Sequence, residues 1–184
     1  MADDAYITLD QIRSRLWAGE GARVHAVIDG ARVPGLPARL AAAAPAPWDA
    51  LQRGALDDAA AARAAYVVEV DGAAALAQWL LTQASLELPG WGVLLASTHT
   101  LLDVREHARA LLALRLPDGS EREWRWFDPA VLDAFMAVAS ASQQRALLGP
   151  LRLLAAPGRE AWTFYTATAG AVEAERRRLV AARS

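Results

Sequence analysis

The chain has 184 residues, 21 of them acidic and 19 basic, for a formal net charge of −2. That length predicts one domain, the near-balance of charge argues against a dedicated basic nucleic-acid binder, and the lack of cysteine excludes thiol catalysis, disulfides and Cys-ligated metals. No apolar run reaches the roughly 18 residues of a membrane-spanning helix, and Met1-Ala2-Asp3-Asp4 has no apolar signal stretch, so a cytoplasmic protein is expected.

Ile7, Ile12, Leu16 and Trp17 recur at helical spacing and predict an amphipathic helix over 5–18, ended by Gly19 and Gly21. Val24-His25-Ala26-Val27-Ile28 is a compact apolar run closed by Asp29-Gly30, the pattern of a buried strand entering a turn. A short helix follows over 36–44 and stops at Pro45. The unit then repeats: strand 66–70 closed by Asp71-Gly72, then a helix over 74–84. A third unit pairs strand 93–97 with a helix capped by Thr100 and running to about residue 112.

Residues 113–116 and 121–127 flank Pro117-Asp118-Gly119-Ser120, a hairpin signal. Asp128-Pro129 is a helix start: the carboxylate caps free N–H groups, and proline takes a position whose donor had no partner. Helices are predicted over 131–136 and 142–148, short extended pieces over 151–155 and 162–166, and a closing helix over 169–183. Strand–helix alternation with near-continuous apolar strands predicts an α/β fold. The expectation is a small, largely parallel βαβ sheet flanked by helices, with one hairpin and a short, mainly helical C-terminal part. Residues 1–150 would form the α/β domain, and 151–184 a short extension ending in a helix.

The motifs of phosphate loops, zinc helices and nucleophile elbows are missing. The three histidines are scattered, and a metal site built on His99 and His107 would lack further ligands. No metal or cofactor is therefore expected. One enzyme-like pair stands out: Asp29 and Asp71 each end a predicted parallel strand, where open α/β sheets place ligands. Two carboxylates there would hold a divalent cation for phosphotransfer or nuclease-like chemistry. The alternative is that each accepts backbone N–H bonds at the start of a turn. Among seven tryptophans, Trp48 sits between Pro47 and Asp49 and is the candidate for an exposed partner contact. Arg176-Arg177-Arg178 on the predicted last helix is either a solvated face paired with Glu173 and Glu175, or a docking surface for an acidic partner.

An ordered set of pieces runs from Val24 to about residue 150. Ala26-Val27-Ile28-Asp29-Gly30-Ala31-Arg32 is followed by Tyr66-Val67-Val68-Glu69-Val70-Asp71 and Gly90-Trp91-Gly92-Val93-Leu94-Leu95-Ala96-Ser97. Arg105-Glu106-His107-Ala108-Arg109, Trp124-Arg125-Trp126-Phe127-Asp128-Pro129 and Leu148-Gly149-Pro150 complete the set. In this order they resemble the domain-of-unknown-function family of type VI secretion effector chaperones, or adaptors (Tap or TEC proteins). The resemblance implies a non-enzymatic protein that binds an effector toxin in the cytoplasm and helps load it onto the VgrG spike, with no role for nucleic acid or membrane. It also marks Asp29, Trp91, Gly92, Arg105, His107, Arg109, Arg125, Asp128 and Pro129 as characteristic residues, structural or partner-binding. The chain departs from the family at Ala130, where an arginine is usual.

Overall fold

A computed structural model describes residues 6–116 and 118–180. One eight-stranded sheet organises the fold, in the order β1-β10-β9-β8-β5-β2-β4-β3. Its strands are β1 (Tyr6–Ile7), β2 (Arg23–Asp29), β3 (Trp48–Ala50), β4 (Ala65–Glu69), β5 (Gly92–Ser97), β8 (Leu153–Ala156), β9 (Ala161–Ala167) and β10 (Val172–Leu179). A separate hairpin is formed by β6 (Ala113–Arg115) and β7 (Glu121–Glu123).

Helices cover both faces of the sheet. Against one face lie α1 (Leu9–Leu16), α2 (Leu36–Ala42) and a continuous helical segment comprising α4 (Ala75–Trp79), a π-turn over Leu80–Ala84, and α5 (Ser85–Glu87). Their Ile12, Leu16, Leu36, Leu40, Leu76 and Leu80 meet Val24, Ala26 and Ile28 of β2. Against the other face lie α6 (Leu101–Ala110), α7 (Pro129–Val138) and α8 (Ala141–Leu148), whose Val104, Ala108, Leu132, Met136 and Leu147 meet Val27, Val67 and Leu95. Thr8, Thr100 and Ser140 close capping boxes on α1, α6 and α8. A short helix, α3 (Asp58–Arg63), leads into β4.

The expected largely parallel sheet is corrected. Every neighbouring pair in the large sheet is antiparallel except β1 with β10. Near-continuous apolar runs report burial on two faces, and helices supply that burial whichever way a strand runs. The connections β2–α2–β3 and β4–α4–α5–β5 do join like-directed strands, but each skips one strand, and the strand filling the gap runs the other way, so every contact there is antiparallel. The predicted last helix is corrected too: Val172–Leu179 is a strand paired along its length with β9. Its expected i,i+4 ion pairs are replaced by the alternation of a strand. The rest of that helix beyond residue 180, the start of the predicted first helix at residue 5, and Pro117 of the hairpin turn lie outside the described residues. The predicted helix over 5–18 is corrected at its start: Tyr6–Ile7 is a strand paired with β10, and the helix begins only after the Thr8 cap. β3 and α3, three and six residues long, escaped the sequence reading.

Candidate functional site

Asp29, Trp91, Gly92, Arg125, Asp128 and Pro129 gather where β2, β5 and the hairpin base meet, whereas Arg105 and Arg109 reach β3 and His107 reaches the end of α8. Asp29 ends β2 and is 2% exposed; its Oδ1 accepts the Ala31 N–H at 2.9 Å, and its other oxygen meets the Arg125 guanidinium. Arg125 stands in the sequence between two tryptophans whose indoles both reach α6. Trp124 Nε1 donates to the Leu111 carbonyl and Trp126 Nε1 to Ala108 at 3.2 Å, so the pair occupies carbonyls at the end of α6. Asp128 then caps α7 by accepting the Ala130 N–H at 2.9 Å, with Pro129 in the first turn. The segment Trp124–Pro129 thus joins hairpin, sheet and two helices in six residues.

Trp91 is 1% exposed, and its carbonyl accepts the Asp29 N–H at 2.8 Å. Gly92 has φ +148°, and a Cβ there would sit 1.9 Å from the Val27 carbonyl oxygen, so only glycine lets β5 lie this close to β2. A His107 ring nitrogen lies 2.8 Å from the Leu147 carbonyl oxygen, and Gly149 leaves room for that ring, since a Cβ there would fall 2.3 Å from it. Burial pulls the His107 pKa below its ordinary value, partly opposed by the carbonyl contact.

Arg105 and Arg109, one turn apart on α6, reach the sheet edge. Arg105 pairs with Asp49 of β3, and Arg109 donates to the Ala50 carbonyl at 2.7 Å and the Leu51 carbonyl at 3.0 Å. Asp49 in turn accepts the Ala50 N–H at 2.8 Å. Side chains therefore occupy backbone groups of an edge strand that would otherwise invite another chain to pair. Trp48, at the start of β3, is 37% exposed and packs edge-on against Tyr66 at 5.6 Å. It is the one tryptophan among the exposed large hydrophobic residues, and it stands on an edge strand.

The two-carboxylate reading fails on topology. β4 is antiparallel to β2, with Asp29 opposite Ala65 and the Val70 N–H bonded to the Val24 carbonyl. Asp29 and Asp71 consequently lie at opposite ends of the pair, about 20 Å apart along the strands. Each begins its own turn: Asp71 Oδ1 accepts the Ala73 N–H at 2.8 Å, as Asp29 does for Ala31. Shared coordination of one ion needs only a few ångströms. Among the described residues no three His, Cys, Asp or Glu side chains gather in a way that could hold a metal ion. No described helix is long and apolar enough to cross a membrane.

Arg176, Arg177 and Arg178 do not form one surface. Arg177 turns toward the α1 side, where its Nε donates to Glu175 at 2.8 Å; Arg15 of α1 pairs with the same carboxylate. Burial pushes the Glu175 pKa up, but the two arginines outweigh it and hold the carboxyl below its usual range. Arg176 and Arg178 are exposed on the opposite face.

Sequence reasoning missed a groove of about 620 Å³ at the Asp71 end of the sheet, lined by Trp17, Arg23, Glu69, Asp71, Gly72 and the 42–47 loop. Trp17 is pinned there, its indole donating to the Val70 carbonyl at 3.1 Å. His25, fully buried on β2, has no hydrogen-bond partner on either ring nitrogen; Glu69 lies 3.9 Å away. The one available signal was a polar residue in an otherwise apolar strand.

Comparison with curated proteins gives no match, nor does comparison with solved structures. A family model does match residues 24–146, which takes in every characteristic residue named above. That family is commonly linked to type VI secretion. The chain belongs to the family described as the domain of unknown function DUF4123.

Proposed function

We propose that this protein is a non-enzymatic cytoplasmic adaptor that binds a type VI secretion effector and helps load it onto the VgrG spike. Family membership over residues 24–146 carries this proposal. The geometry supports it: Asp29, Arg105, His107, Arg109 and Arg125 are engaged with backbone carbonyls, turns and one another. Such residues shape an exterior, and function then resides in what that exterior meets. Co-expression of the chain with the effector encoded beside it, followed by size-exclusion chromatography, tests the proposal. A co-eluting complex and increased effector solubility are expected. Separate elution with unchanged solubility refutes it.

A further inference from the structure

Alternation along β10 sorts its charges by face. Its residues read Val-Glu-Ala-Glu-Arg-Arg-Arg-Leu from 172 to 179. Glu173, Glu175, Arg177 and Leu179 share the face toward α1, where Leu179 packs on the core and Glu175 is paired with Arg15 and Arg177. Ala174, Arg176 and Arg178 share the other face with Ala161, Thr163 and Tyr165 of β9, their register partners. Both glutamates of the strand therefore lie on the α1 side, and β10's own charges on the opposite side are guanidinium alone.

Arg176 and Arg178 make no ion pair or hydrogen bond among the described residues. Asp128 and Asp133 line a cavity of about 330 Å³ with Arg176 without pairing with it: Asp133 accepts the Tyr165 hydroxyl at 2.6 Å and the Thr163 hydroxyl at 3.2 Å, and Asp128 accepts the Ala130 N–H at 2.9 Å. Arg176 and Arg178 stand two residues apart, roughly 7 Å along the strand, with small Ala174 and Ala161 beside them. Tyr6 and Val180, both about half exposed, extend the face beyond the arginines.

We infer that this open face of β10 is a docking surface for an acidic segment of a partner protein, with carboxylates meeting Arg176 and Arg178 and apolar side chains meeting Tyr6 and Val180. Charge complementarity selects the occupant. Two forked cations at strand spacing match carboxylates bidentately. The net charge of −2 and the shortness of the patch disfavour a nucleic-acid backbone, which needs a longer basic track. Identifying the partner as the effector or the spike rests on the adaptor proposal; the surface itself does not.

Fluorescence anisotropy with the full chain provides the test, using a labelled ten-residue peptide that alternates Glu with Leu. Controls are the same peptide with Gln for Glu, and a ten-nucleotide single-stranded DNA. Salt-sensitive binding of the acidic peptide is expected, at least about tenfold weaker in R176E/R178E and weakened in R176Q/R178Q, with both variants melting like the parent. Equal binding of the Gln peptide, tighter binding of the DNA, or affinity unchanged by the substitutions overturns the inference. If the peptide behaves as expected but no effector complex forms on co-expression, the adaptor proposal fails and the surface stands. If the effector co-elutes equally with parent and R176E/R178E chains, while the peptide is not bound, the reverse holds.

Discussion

Asp29 and Arg125 show how much one pair of residues carries. Asp29 is 2% exposed, so its charge depends on the guanidinium that reaches it from the hairpin base. Removing one partner of such a pair leaves a buried charge uncompensated, typically at 3–5 kcal/mol. Because Arg125 itself is 44% exposed, the lower end applies. Arg125→Ala should destabilise the fold by about 3 kcal/mol in urea unfolding, and a loss under 1 kcal/mol would mean water already solvates the carboxylate. His25 makes a second residue-scale prediction. Burial, with the charge of Arg23, pushes its pKa down to about 4 from an ordinary 6.5. The unfolded chain therefore binds more protons than the folded one between those values. The stability contributed by the neutral ring is complete above pH 6.5 and is lost as pH falls toward 4, on the order of 3 kcal/mol in all. Unfolding free energies measured across that window should show the slope, and His25→Leu should flatten it.

At the scale of elements, two contacts decide how pieces assemble. β3 is three residues long and sits at the sheet edge, so its place depends on α6. Arg109→Ala would strand the Ala50 and Leu51 carbonyls, costing about 2 kcal/mol for the pair. Amide hydrogen exchange should then accelerate over residues 48–51 well before the rest of the sheet; uniform acceleration would show that β3 opens only with the whole fold. The approach of β5 to β2 depends on Gly92. Gly92→Ala places a methyl group against the Val27 carbonyl at a positive φ and should cost at least about 3 kcal/mol, read as a lower urea midpoint. The elements themselves were largely readable: α1, α2, α6, α7 and α8 carry caps, prolines or apolar stripes that act within a few residues. The final strand was not. Its Glu and Arg residues fit a solvated helix as well as a strand, and pairing with β9 chooses between them.

For the molecule as a whole, residues 153–179 add three strands to the same sheet, and β8 lies directly against β5. A chain truncated after Pro150 would bare the β5 edge and the apolar faces that Trp162 and Phe164 cover. It should be recovered as aggregate; a monodisperse truncated chain in analytical ultracentrifugation would contradict that. The two carboxylates that invited an enzymatic reading also belong to this scale. Asp29-Gly30 and Asp71-Gly72 look equivalent locally, and only the antiparallel register sends them to opposite ends of the sheet.

Composition, periodicity and capping chemistry determined by themselves that this chain folds with helices and buried strands, and an ordered run of residues determined its family. Those signals act through neighbours in sequence, or through side chains whose burial leaves an apolar imprint. Strand direction, the opposition of Asp29 and Asp71, the guanidiniums reaching Asp29 and β3, and the division of Arg176 and Arg178 from Arg177 were decided only by the tertiary structure. Each depends on which strand lies beside which. Hydrogen-bonded pairing between distant segments leaves no periodic trace in either one.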